Sequence, residues 1–179
     1  MRYAFFILVL LKCAGSLAQA TVDVSLTMPS VALVDILPTG STSFNLQMTA
    51  PTEAGNAIGT GTSNAANWLI FSSAVTSGGS RAIKGDVVGT LPAGISLRLA
   101  ISPYIGDGLG FTGGNSYITT NTYLTNSAVS FIDNIKGAYT GTGYGTHGFK
   151  LTYSLEIQTY ADIRSGTSNV TIRYTMVDN

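Results

Sequence analysis

The sequence predicts an all-β protein, a single two-sheet β-sandwich of about nine or ten strands. Three observations lead there. Apolar and polar residues alternate with a period of two through five separate segments, Gly-rich connections separate those segments, and no window sets apolar residues three and four apart among helix formers.

The chain opens with Arg2, an apolar run from Tyr3 to Leu11, and small residues ending in Ser16, Leu17 and Ala18. A positive charge, a short greasy stretch and a small-residue end are what a signal peptidase reads. The expectation is a cleaved secretory signal over residues 1–18, with Gln19 as the mature N-terminus and one domain over 19–179. The run is shorter than the roughly 20 apolar residues a bilayer span requires, and no second run of that kind follows. Cys13 is the single cysteine and falls inside the expected signal. A lipid-anchor signal would want a small residue before that cysteine, and Lys12 stands there. The mature chain would then have no thiol, which excludes disulfides, zinc thiolate sites and cysteine nucleophiles.

The strands follow in order. Val22, Val24, Leu26 and Met28 alternate with Asp23, Ser25 and Thr27, which would place the apolar set on one face of a strand. Val31 to Leu37 is apolar on both sides and reads as a strand crossing the interior. Phe44, Leu46 and Met48 alternate with Asn45 and Gln47. Trp68 to Phe71 is a second continuous apolar piece. Weaker strands are expected near Ala82 to Val88, Ser116 to Leu124 and Val129 to Ile135. Ile95, Leu97, Leu99 and Ile101 alternate around Ser96 and Arg98; Phe149, Leu151, Tyr153, Leu155 and Ile157 make the longest example. Val170, Ile172, Tyr174 and Met176 close the chain in the same pattern. The Gly-rich connections 55–62, 77–80, 106–115 and 137–148 are too short to be domain linkers, so one domain is expected.

Charge excludes some functions. Without Arg2 and Lys12, seven basic residues face nine acids, a net charge of about −2. Such a surface has no field to attract a phosphate backbone, so nucleic acid is not an expected partner. Charged residues make up only 10 % of the chain, and Ser, Thr, Asn and Gly supply the polarity instead, as suits strands and turns of an exported β protein.

Few residues carry chemistry. Gly108, Gly110 and Gly113 match GxGxxG spacing, but a dinucleotide site needs a helix after the glycines and a strand pattern follows. His147 is the single histidine; it sits in a Gly-flanked loop, no GxSxG elbow occurs, and no aspartate near it in sequence suggests an orienting partner. A glycosidase needs two carboxylates across a cleft, and nothing pairs Glu53 with Glu156 or with an aspartate. A calcium ion on Asp107 or Asp133 with loop carbonyls lacks the spaced acidic loop such sites use. No catalytic residue, cofactor or metal is therefore expected. Asn169 to Thr171 spells a glycosylation sequon. The loop aromatics Tyr104, Phe111, Tyr117, Tyr139 and Tyr144 are either packing over loop backbone or contact groups that could stack on sugar.

The alternating segments Thr21 to Met28 and Asn169 to Met176, with Tyr160 and Asp162 ahead of a final strand ending near Tyr174, resemble secreted bacterial surface sandwiches of the pilin-like kind, including subunits of the chaperone and usher route. The resemblance implies an immunoglobulin-like sandwich in which an N-terminal strand completes a neighbour's incomplete one. Val22, Val24, Leu26 and Met28 would be the inserted residues. The pattern departs from that family in having no disulfide and in placing five residues after Tyr174. The expected function is a non-enzymatic cell-surface structural or adhesive subunit, in the periplasm or on the bacterial surface, whose first strand is either internal or donated by edge pairing to a copy or another surface subunit. The alternative is an extracellular carbohydrate-binding module that contacts a glycan through Tyr104, Phe111, Tyr139 and Tyr144.

Overall fold

A computed structural model of the chain describes residues 20–40, 42–110, 116–117 and 122–179. The expected signal over 1–18 with Cys13, Gln19, Gly113 and Phe111 lie outside these residues. The fold is all-β. Among the described residues ten strands run in the order β1 Val31–Leu37, β2 Asn64–Ala74, β3 Arg81–Val88, β4 Ile95–Ile101, β5 Ser116–Tyr117, β6 Thr122–Leu124, β7 Val129–Ile135, β8 Ala138–Tyr139, β9 Phe149–Ile157 and β10 Thr171–Asp178. A 3₁₀ turn at Tyr160–Asp162 precedes the last strand. Among the described residues no helix is long and apolar enough to cross a membrane.

The strands form two antiparallel sheets. One has the order β1-β2-β9-β4-β6 with β8 paired to β2, and the other the order β10-β3-β7-β5. Both send apolar side chains into one core: Leu69 and Phe71 from β2, Leu97 and Leu99 from β4, and Phe149 and Leu151 from β9 meet Ile83, Val87 and Phe131 from the second sheet. Alternation explains the selection, because every second residue of β4 and β9 points inward while its neighbours face water. Gly85 on β3 leaves a gap that Phe131 fills, since a Cβ there would lie 2.2 Å from the Phe131 ring. Phe131 also meets Tyr174 across the sheet, ring centroids 6.0 Å apart.

Three expected strands behave otherwise. Val31 to Leu37 does not cross the interior: β1 is an edge strand, and Leu33 is 65 % exposed because nothing covers the outer side of that edge. Among the described residues, 22–28 have no pairing partner and no dry face; Val22, Val24, Leu26 and Met28 are 84, 71, 86 and 87 % exposed. Alternation specifies a strand only where a sheet edge receives it, and among the described residues no partner lies alongside. Phe44, Leu46 and Met48 do turn inward by halves, in the expected alternation, yet residues 42–48 join no ladder. The chain is held there by packing, with the rings of Phe44 and Tyr153 stacked 4.6 Å apart, and by the isolated bridge of Thr49 to Gly59.

The start of β1 is fixed by a buried cation. Arg81, 6 % exposed, donates from Nη1 to the carbonyl oxygens of Val31 and Ala74, from Nη2 to Ser30 Oγ at 3.0 Å, and from Nε to Asp178 Oδ1 at 2.7 Å. One guanidinium thus ties the root of the N-terminal segment to the end of β10. Burying a charge is costly without such partners, and here every arm of the group has one.

Candidate functional site

The two ends of the sandwich differ in how completely their polar groups are paired. At one end the connections 102–110 and 136–148 close over the core. Tyr104 packs on Phe149 with ring centroids 5.6 Å apart; its hydroxyl accepts from the Gly108 N–H at 2.6 Å and donates to the Thr140 carbonyl at 3.0 Å. Burial of that hydroxyl raises its pKa. Thr140 is fully buried, and its Oγ1 accepts from the Phe71 N–H at 2.9 Å. Gly108 and Gly110 serve this closure: a Cβ on Gly108 would lie 2.0 Å from the Tyr139 carbonyl oxygen.

His147 does have an aspartate, supplied by the fold across 40 positions of sequence. Its Nε2 lies 2.7 Å from Asp107 Oδ1 and its Nδ1 lies 2.9 Å from Thr146 Oγ1. The Asp107 side chain is 88 % exposed, so the pair stands in water and contributes at most about 1 kcal/mol as a clasp between two loops. Sequence spacing could not reveal it, because the contact depends on how the two loops meet. Among the described residues no group of three His, Cys, Asp or Glu could hold a metal.

The loop aromatics separate in the structure. Tyr104 belongs to the loop's own packing. Tyr139 and Tyr144 are 46 and 52 % exposed, and the Tyr144 hydroxyl donates to the Ala66 carbonyl at 3.0 Å. Phe111 and the side chain of Tyr117 lie outside what is described.

The other end is open. A groove of about 1090 Å³ runs between residues 42–51 on one side and residues 163–172 on the other. Its floor is made by Leu97, Leu155, Tyr153 and Asn67, and Ile172 and Tyr174 on the edge strand β10 form part of its wall. A smaller cavity of about 230 Å³, lined by Val34, Ile36, Ile172 and Tyr174, continues the opening along the seam between β1 and β10. Leu97, Leu155, Ile95 and Ile172 make the apolar part of the lining, Ser165, Thr167 and Ser168 a polar rim, and the edge of β10 that faces away from β3 carries no partner strand among the described residues.

Three polar groups interrupt this apolar floor. The hydroxyls of Tyr153 and Tyr174 are 2.7 Å apart. Burial pushes the Tyr153 hydroxyl up to about 12 and holds the Tyr174 hydroxyl well above its ordinary value. Asn67 is 2 % exposed, and its side-chain oxygen has no hydrogen-bond partner. Sequence reasoning missed all three: Tyr153 and Tyr174 read as core positions of alternating strands, and Asn67 stands just before the apolar piece 68–71, which the structure extends to Asn64–Ala74. The one signal for them is that amide, two residues before Leu69.

No protein-family model, curated protein or solved structure matches this chain.

Proposed function

We propose that this chain is a non-enzymatic, exported cell-surface subunit, structural or adhesive, that joins a neighbouring subunit by donating residues 20–28 as a strand. The observation that carries the reading is the pair of unmet surfaces on one molecule. Residues 20–28 hold four large apolar side chains in a row, all exposed, while an apolar groove lies open along the unpaired edge of β10. Covering each such side chain is worth about 1.5–3 kcal/mol, and an inserted strand would also pair the free edge.

Lengths and positions support the same reading. Nine extended residues reach about 30 Å, slightly more than the eight residues of β10. Arg81 holds the root of the segment beside Asp178, at one end of β10, whereas the groove is lined by Ile172 and Thr171 at the other. A donor and an acceptor on different surfaces of a molecule make a heterologous contact, which builds chains or rings of subunits. A carbohydrate-binding module is the weaker reading, because Tyr104, one of its four aromatics, is committed to packing and hydrogen bonding within its own loop.

Sedimentation velocity of the full chain and of a variant lacking residues 20–28 tests the proposal. The intact chain should associate with rising concentration, and the shortened one should stay a folded monomer. A shortened chain that associates as strongly as the intact one, or an intact chain that stays monomeric and whose groove also binds no strand peptide, refutes it.

A further inference from the structure

We infer that the groove is built for a strand from a different chain, one whose core-facing row contains a hydroxyl side chain. This rests on the reading of the groove as a strand acceptor and adds which strand it selects.

Asn67 Oδ1 is an acceptor without a donor, almost completely buried, on a strand residue that lines the groove. Tyr153 lies on the neighbouring strand, where it pairs with Asn64, and an irregularity in register separates that pair from Asn67 and Leu151. The two tyrosine hydroxyls carry two protons and share one hydrogen bond. One O–H is therefore left to donate elsewhere. The floor thus holds an unmet acceptor in Asn67 Oδ1 and a spare O–H in the tyrosine pair, and a hydroxyl can meet the acceptor, since it donates once and accepts twice.

This chain's own N-terminal segment does not meet that demand. Its apolar row is Ala20, Val22, Val24, Leu26 and Met28, with no hydrogen-bonding side chain. A slip of one residue would turn Ser25 and Thr27 inward, but it would bury Asp23 and return Val, Leu and Met to water. An all-apolar row over Asn67 leaves a buried polar atom unpaired, a penalty that a matched hydroxyl removes. Homotypic filling is then the weaker event, and the better occupant is a second kind of subunit with Ser or Thr at one inward position. The chain would stand between unlike neighbours, giving its own row to one and taking a hydroxyl-bearing row from another.

Fluorescence anisotropy with labelled synthetic peptides tests this on the full chain. The parent peptide spans residues 20–29, and three others carry Val22→Thr, Val24→Thr or Leu26→Thr. One of the three should bind about tenfold more tightly than the parent, the equivalent of one recovered buried hydrogen bond, and the other two should bind more weakly for lost apolar contact. In Asn67→Leu the tenfold gain should vanish. The comparison among peptides is complete in the unsubstituted chain, so a poorly folding Asn67→Leu variant does not remove the test. If the parent binds and all three substituted peptides bind more weakly, selection by a hydroxyl is wrong while strand donation stands. If no peptide binds, the acceptor reading falls with it.

Discussion

Residues 22–28 and β9 carry the same alternation of large apolar and small polar side chains, and they meet opposite fates. In β9, Phe149, Leu151 and Tyr153 are buried to 2 % exposure or less between two neighbouring strands. In the N-terminal segment Val22, Val24, Leu26 and Met28 are exposed. The difference lies outside the segments themselves: β9 has β2 on one side and β4 on the other, and the N-terminal segment has neither. Alternation states which face wants to be dry; the supply of sheet edges decides whether it is.

Substitution of one apolar residue in the paired region should give the largest effect. Leu151→Ala leaves a cavity at a fully buried site, and urea unfolding should show a loss of about 2–5 kcal/mol. A loss under 1 kcal/mol would mean that the core at β9 is looser than its burial implies. Next comes the closed end, where Thr140→Val removes the acceptor of the Phe71 N–H without changing shape. It should cost about 1–3 kcal/mol by the same measurement.

The open end predicts an alkaline weakness. Tyr153 has a folded pKa of about 12 against an ordinary value of 10.0, and Tyr174 is raised also. A group whose folded pKa is raised stabilises the fold fully below its unfolded value and loses that contribution as pH rises toward the folded one. Stability should therefore be flat up to about pH 9 and fall between pH 10 and 12, by about 1 kcal/mol at pH 11 from Tyr153 alone. Tyr174→Phe should flatten that fall. A urea midpoint that does not move between pH 9 and pH 11 would show that the pair is hydrated and the groove floor wet.

Much of the fold is legible in the alternation of side chains alone. The patterns at 95–101 and 149–157 correspond to β4 and β9 because period-two alternation and a two-sheet core make the same demand, and the weaker expected strand at 129–135 is β7. The final strand is displaced by only one residue at its start, Thr171 in place of Val170. What stays hidden depends on partners. Val31 to Leu37 reads as interior from its composition, yet its place at the edge of the sheet follows from the order of strands, which composition does not encode. The two-residue strand Ala138–Tyr139 lies in a Gly-rich stretch and exists only because Ser72 and Ser73 of β2 offer it an edge. The site divides likewise: the exposed row is readable as a candidate inserted strand, whereas the groove and the Asn67 amide at its floor arise from gaps between elements.

The smallest stability effect is expected where the same kind of substitution meets no neighbour. Leu26→Ala removes as many atoms as Leu151→Ala, but Leu26 is 86 % exposed in the single molecule. Nothing is uncovered and no cavity forms, so dilute unfolding curves of Leu26→Ala and the parent chain should agree within about 0.5 kcal/mol. Association at high concentration should nevertheless weaken, because the lost side chain is buried only when residues 20–28 lie in a neighbour's groove. A destabilisation above 1 kcal/mol in the dilute monomer would place Leu26 inside its own fold, and the two regions would then differ in degree rather than in kind.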